Sequence, residues 1–409
     1  MPFAPLRDIR VVDVTTSLAG PYCTEILAAL GADVVKIEPP GVGDEARTWG
    51  PPFWSGESTL FLTVNAGKRS VCVDLRRGRD VVLRLADRAD VFVQSLRPGL
   101  AEERGLDAPE LRRRNPRLVY CSVRSFGRVG PWRDRPGYDP LAQAAGGIVS
   151  VTGEPGRDGV RAGISVADQG TGMWAALGIV AALHERQATG EGREVDVSLY
   201  ETALGYMAYH LTGFLGAGVV PAGRGTAFPS IVPYQAFAAR DGRLMVAAGN
   251  DRLFAALVQA VGLAELADDP RFATNADRVA NRDELAALLQ ARFATEERSV
   301  WISRLGEARV PAAPVQDVSE VAAADQTRAL GILQELPHPA VPDLQLPAFP
   351  LSLDGERVLH ASPPPELGAD TAEVLAEAGY SATEIDELAA AGIVSVGGRE
   401  VRPATRRAR

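Results

Sequence analysis

Along the first half of the chain, short runs rich in Val, Ile and Cys alternate with Ala- and Leu-rich stretches of helical period. Residues 9–14 read as a strand, Ser17 to Pro21 as a turn, 22–30 as a helix stopped by Gly31, and 33–37 as a second strand. Further strands fall at 70–74, 90–94 and 118–123, with helices at 78–88 and 100–114. Such βα alternation predicts an α/β fold with a parallel, doubly wound sheet. Loops rich in Gly, Pro and charge at 127–137 and 153–163 precede a long apolar helix from about 170 to 187, which should be deeply buried because nearly all its faces are apolar or small. Residues 194–199 alternate like a strand, and 200–213 return to helix.

Near Val219 the composition shifts to a Pro/Gly linker, and a new domain begins. A hairpin is expected from 231–238 and 243–248 around Asp241 and Gly242, then helices at 251–261, 282–293 and 296–306. After Gln326 the chain is Pro-rich and strand-like, and it closes with a helix introduced by the capping box Ser381 to Glu384. A basic tail follows Gly397.

Composition narrows the function. With 409 residues, 46% hydrophobic and 23% charged, the chain is long enough for two domains and a large core. Its net charge of -9 argues against a nucleic-acid surface, so an anionic ligand must be held by local groups. Lys36 and Lys68 are its only lysines, all other basic side chains apart from histidine being Arg. Cys23, Cys72 and Cys121 lie far apart and the four histidines never pair at ligand spacing, so neither a disulfide framework nor a metal site is expected and a reducing cytoplasm fits. Residues 1–10 hold no apolar stretch of signal-peptide length, and the longest apolar run, 173–183, is shorter than the ~20 residues a bilayer-spanning helix needs. A soluble protein without a membrane partner is the expectation.

The first βα turn, Thr15 to Pro21, lacks the G-x-G-x-x-G pattern of dinucleotide sites, although its helix N-terminus still offers amides to a phosphate. G-x-S-x-G, Walker and H-E-x-x-H motifs are absent, which removes the usual hydrolase, NTPase and zincin readings. Asp168 stands out at the entrance of the long apolar helix. Two readings compete there: a helix N-cap, or a reactive carboxylate to which Gly163, Gly170 and Gly172 give a bulky ligand close access. Upstream, Gly137-Tyr138-Asp139 offers a phenol and a second carboxylate. Were the two segments to meet, they would line one pocket equipped for acyl or proton transfer.

Several stretches together resemble the class III CoA-transferases, also called the CaiB/BaiF type, which include formyl-CoA:oxalate and succinyl-CoA:dicarboxylate enzymes and are related to the α-methylacyl-CoA racemases. The carriers are Leu18 to Pro21, LGADVVKIE at 30–38, Gly43-Asp44 with Arg47 and Trp49, Asn65 to Arg69, Gly137 to Asp139, Asp168 to Gly172, and Thr189 to Gly192. The resemblance implies a Rossmann-like large domain from residues 1–221 and 326–409, a smaller middle domain at 222–325, and an interlocked homodimer. It implies no permanently bound cofactor; a coenzyme A thioester and a carboxylic acid would be the substrates. Asp168 would be the nucleophile, passing through an acyl anhydride and an aspartyl-CoA thioester, with Tyr138 and Asp139 beside the thioester. CoA would lie along Leu18, Ala19, Val73, Asp74, Leu75, Arg76, Ser95, Leu96, Arg97 and Arg104. Arg47 and Trp49 would close over the acyl group, Arg47 holding a free carboxylate.

The sequence also departs from the formyl-CoA enzyme: Leu18 stands in place of its Gln, and its run of four glycines is missing. Phe228 occupies a place where His is frequent, and Arg104 sits one position later than the family's usual Arg. The racemase branch has His where Tyr138 stands, and a phenol is a poor base near neutrality. Transfer of CoA from succinyl-CoA or another dicarboxylyl-CoA is therefore the leading expectation, with racemisation and a turnover-free acyl-CoA-binding protein as alternatives.

Overall fold

The computed structural model describes residues 4–397; the basic tail after Gly397 and the first three residues lie outside the described part. Residues 4–148, 161–216 and 330–397 form the larger of two compact units, and 149–160 with 217–329 form the smaller.

In the larger unit six parallel strands, β1 (Arg10–Val14), β2 (Asp33–Glu38), β3 (Lys68–Val73), β4 (Val91–Gln94), β5 (Val119–Arg124) and β6 (Glu194–Ser198), pair in the order β3-β2-β1-β4-β5-β6. A short seventh strand, β7 (Val394–Ser395), adds antiparallel outside β3. The strands are apolar runs because both faces are covered. Val12, Val14, Phe92 and Tyr120 pack on one face with Val81, Val82 and Leu85 of helix α1 (Arg79–Ala86). Their odd-numbered neighbours Val11, Val91, Val93, Val119 and Cys121 pack on the other, as the two-residue strand period requires.

The expected 100–114 helix is two, Leu100–Arg104 and Ala108–Arg114, divided where Gly105 takes φ +61°. The expected 200–213 helix likewise breaks at Met207, which ends Leu199–Tyr206 before Ala208–Ala217 begins. The long apolar helix α2 (Val166–Thr189) starts four residues earlier than expected and has 24 residues. It is not deeply buried all round. By length and composition it could cross a membrane, but half of its most apolar 18-residue stretch is buried, with Ala175, Ile179 and Leu183 in the core against Cys23 and Leu27, while Met173, Trp174 and Leu177 are exposed.

The smaller unit holds a three-stranded antiparallel sheet, Ala312–Pro314, Gly242–Ala247 and Tyr234–Ala239 in that order. Helices Asp251–Ala260, Arg282–Phe293 and Arg298–Glu307 close it over Phe237, Phe293 and Trp301. Arg278 is fully buried there and donates to the Val232 and Phe272 carbonyls and to Asp251.

Both lysines of the chain are buried charges under the first βα turn. Lys68 Nζ pairs with Asp13 at 3.2 Å and donates to Asn65 Oδ1 and the Pro21 carbonyl, each at 2.8 Å. Lys36 Nζ donates to the Thr15 carbonyl at 2.9 Å and pairs with Asp44 at 2.8 Å. Burial alone would raise the Asp13 carboxyl, yet Lys68, Lys36 and the Thr15 and Thr24 hydroxyls outweigh it and hold it at about 2. Breaking such a pair leaves an uncompensated buried charge, at a cost of about 3–5 kcal/mol. Lys68→Met should therefore lower unfolding free energy in urea by roughly that amount, whereas Arg113→Met, which removes an exposed pair with Glu110, should leave it nearly unchanged.

Candidate active site

The strand order reverses beside β1: the chain winds outward to β2 and β3, then returns to lay β4 on the opposite side. In open α/β sheets the crevice at the carboxyl ends of such strands is where ligands bind. A cavity of about 250 Å³ opens there. Thr16, Ser17 and Ala19 line it from the turn after β1; Ser95, Leu96, Arg97 and Pro98 follow β4; Val123 to Ser125 come from the end of β5. The remaining wall is the loop carrying Arg133, Arg135 and Tyr138, together with Glu45, Leu199 and Asp168. A second cavity of about 340 Å³ shares Leu96, Arg97, Pro98, Arg124 and Arg133, so the cleft extends past β4 and β5.

Asp168 lies in the first turn of α2, whose preceding residue, Ser165, makes no side-chain cap. The helix end is instead capped from a distance. Asp139, 2% exposed at the start of α3 (Asp139–Ala145), accepts the Ala167 N–H at 2.8 Å and the Asp168 N–H at 3.3 Å through Oδ2, while Gln143 Nε2 donates to Oδ1. The cap at this helix end is therefore not Asp168. The cap is Asp139, and among the described residues no donor hydrogen-bonds the Asp168 carboxylate. Burial, followed by the charge of Asp139, raises the Asp168 carboxyl to about 7.

The glycines near Asp168 serve packing rather than ligand access. A Cβ on Gly170 would meet Tyr206 Oη at 2.1 Å, and one on Gly172 would meet the Ala19 carbonyl at 2.7 Å. Only Gly163 faces open space.

Of the other residues singled out from sequence, Ala19, Ser95, Leu96, Arg97 and Tyr138 join Asp168 in the cavity wall. Leu18 is buried, and Asp139 lies buried behind the wall. Trp49 meets the Tyr138 ring edge-on at 6.2 Å. Arg47 is buried in a two-pronged pair with Glu38 at 2.7 and 2.8 Å, stacks 3.7 Å above Phe61 and donates to the Pro365 carbonyl, so its fork is already filled. Val73 belongs to the core, Leu75 packs on it, Asp74 accepts the Arg76 N–H, and Arg76 is exposed; none of the four lines either cavity. Arg104 pairs with Glu103 at 3.2 Å, also away from both.

Ser17, Glu45, Arg124, Arg133 and Arg135 are cavity residues that the sequence reading missed. Two had a local signal: Arg135 immediately precedes Pro136-Gly137-Tyr138, and Glu45 follows Gly43-Asp44.

The succinyl-CoA:glutarate CoA-transferase of Mus musculus is 38% identical over 394 residues, covering 95% of this chain and 90% of that protein. The acetyl-CoA:oxalate CoA-transferase of Acetobacter aceti is 38% identical over 335 residues, covering 81% and 86%. A crystal structure of a CaiB/BaiF family protein from Brucella suis matches with a TM-score of 0.82 at 38% identity, covering 91% of this chain and 99% of the other. The family model described as CoA-transferase family III matches residues 6–371, and the chain belongs to that family.

Proposed function

We propose that the protein transfers CoA from a dicarboxylyl-CoA, succinyl-CoA foremost, to a carboxylic acid, with Asp168 as the nucleophile. The observation that carries this reading is the uncapped, unpaired Asp168 carboxylate in the wall of the cavity at the sheet's switch point.

In the proposed sequence an Asp168 oxygen attacks the thioester carbonyl, the C–S bond breaks and CoA leaves as thiolate. The thiolate attacks the Asp168 carbonyl of the resulting anhydride, expelling the donor acid and leaving an aspartyl-CoA thioester. The acceptor carboxylate attacks that carbonyl, the thiolate leaves again, and it finally takes the acceptor acyl group while Asp168 is restored. Each step exchanges one activated acyl bond for another, so the site must keep water from the intermediates. Tyr138, with Trp49 at its edge, stands beside the thioester, and Ala19 and residues 95–98 form the wall along which CoA lies. Arg97 suits a phosphate group, since a guanidinium matches its geometry.

The protein works as an interlocked homodimer in this reading. Trp174, Leu177, Tyr209, Phe214 and Leu215 are exposed on a single chain, and the apolar helix Ala208–Ala217 buries none of its residues, which supports a covering partner. A reducing, cytoplasmic setting accords with three buried, unpaired cysteines.

Three outcomes are expected. Asp168→Ala should abolish transfer from succinyl-CoA to glutarate, by at least about a thousandfold, while CoA still binds by calorimetry; appreciable residual transfer would count against the assignment. Because the nucleophile must be ionised, activity should rise with pH through about 7, and Asp139→Asn should move that limb to lower pH by removing the neighbouring charge. Sedimentation should give a mass of two chains, and a monomer at micromolar concentration would refute the dimer.

A further inference from the structure

We infer that Glu45 is a positioning residue for the transfer reaction, its one carboxylate tying the Ser17 hydroxyl on one wall of the cavity to the Tyr138 phenol on another. The inference rests on the reading that Tyr138 stands beside the thioester attacked by Asp168.

Ser17 Oγ donates to Glu45 Oε1, and Tyr138 Oη faces Glu45 Oε2 at 3.5 Å, a long contact of the kind that tightens when substrate arrives. Both oxygens are thus used, on donors that come from the turn after β1 and from the segment entering α3. Ser17 adopts φ +72°, a left-handed conformation that strains a non-glycine residue and persists only where surrounding bonds over-determine it. Those bonds are present. The Ser17 N–H donates to Asp44 Oδ1 at 3.0 Å, and the same oxygen accepts the Ala46 N–H at 3.0 Å at the start of the short 3-10 turn Glu45–Thr48. Asp44 in turn is fixed by buried Lys36. An unbroken path of contacts therefore runs from the buried lysine to the exposed phenol.

Tyr138 is half exposed, and its ring meets Trp49 edge-on; the Glu45 contact adds a polar tie at the phenol end. The Glu45 charge, with a smaller contribution from burial, also raises the phenol above its ordinary range, so it remains a protonated donor at neutral pH. The cations lining the same cavity are Arg97, Arg124, Arg133 and Arg135; Arg124 is paired with Asp196 and Arg133 with Asp134.

The test is a double-mutant cycle on the full-length protein with succinyl-CoA and glutarate. Glu45→Ala should lower kcat about tenfold, as loss of a hydrogen bond to a charged group does, with KM for succinyl-CoA within about twofold. Tyr138→Phe/Glu45→Ala should be no slower than Tyr138→Phe alone. The phenolate absorbance that Tyr138→Phe removes should appear at lower pH in Glu45→Gln than in the wild type. Losses that multiply in the double variant, full activity in Tyr138→Phe, or an unmoved phenol titration would each overturn the proposal. The titration can be repeated in Asp168→Ala, so failure of the nucleophile assignment is read separately from failure of the bridge.

Discussion

The carboxylate of Asp139 takes the amides at the start of α2, and the chemistry of the site depends on that bond. A helix begins with N–H groups that lack intrahelical partners, and the nearest acidic side chain ordinarily turns back to satisfy them. With the cap supplied from α3, Asp168 is released from that duty and projects its carboxylate into the cleft. The same arrangement sets two acidic groups close together in a part-buried place, which keeps Asp168 partly protonated near neutrality. One buried aspartate thus fixes the helix, frees the Asp168 carboxylate and adjusts its charge.

The opposite wall is held by a second set of buried charges. Lys36 and Lys68 grip the carbonyls of Thr15 and Pro21 at either end of the turn, while Asp13 and Asp44 balance them. Apolar side chains could fill this volume, but they could not fix carbonyl and amide directions in a turn that carries no side-chain cap of its own. The cost of burying these ions is offset by a cavity edge whose backbone geometry is fully specified.

The sheet was legible in the sequence because strands covered on both faces appear as uninterrupted apolar runs, and each of the six parallel strands lies within about two residues of its expected place. The Asp168 and Tyr138 motifs were legible through family resemblance, which the profile match supports. What remained hidden depends on pairings distant in sequence. Nothing near Arg47 shows that Glu38 and Pro365 occupy its guanidinium. Gly170 and Gly172 looked like room for a ligand because their neighbours, Tyr206 and Ala19, come from other helices. Helix breaks at Gly105 and Met207 fell inside stretches of otherwise sound period.

Gly172 has a further consequence. Where a side chain would stand, α2 receives the carbonyl of Ala19 from the helix Ala19–Ala29, so the two helices are seated directly on one another. Asp168 and the wall opposite it are consequently carried on two helices in direct contact, with no side chain as a spacer between them. A cleft built this way has little scope to widen at this joint, so its size is left to the loop with Arg133, Arg135 and Tyr138 that completes the wall.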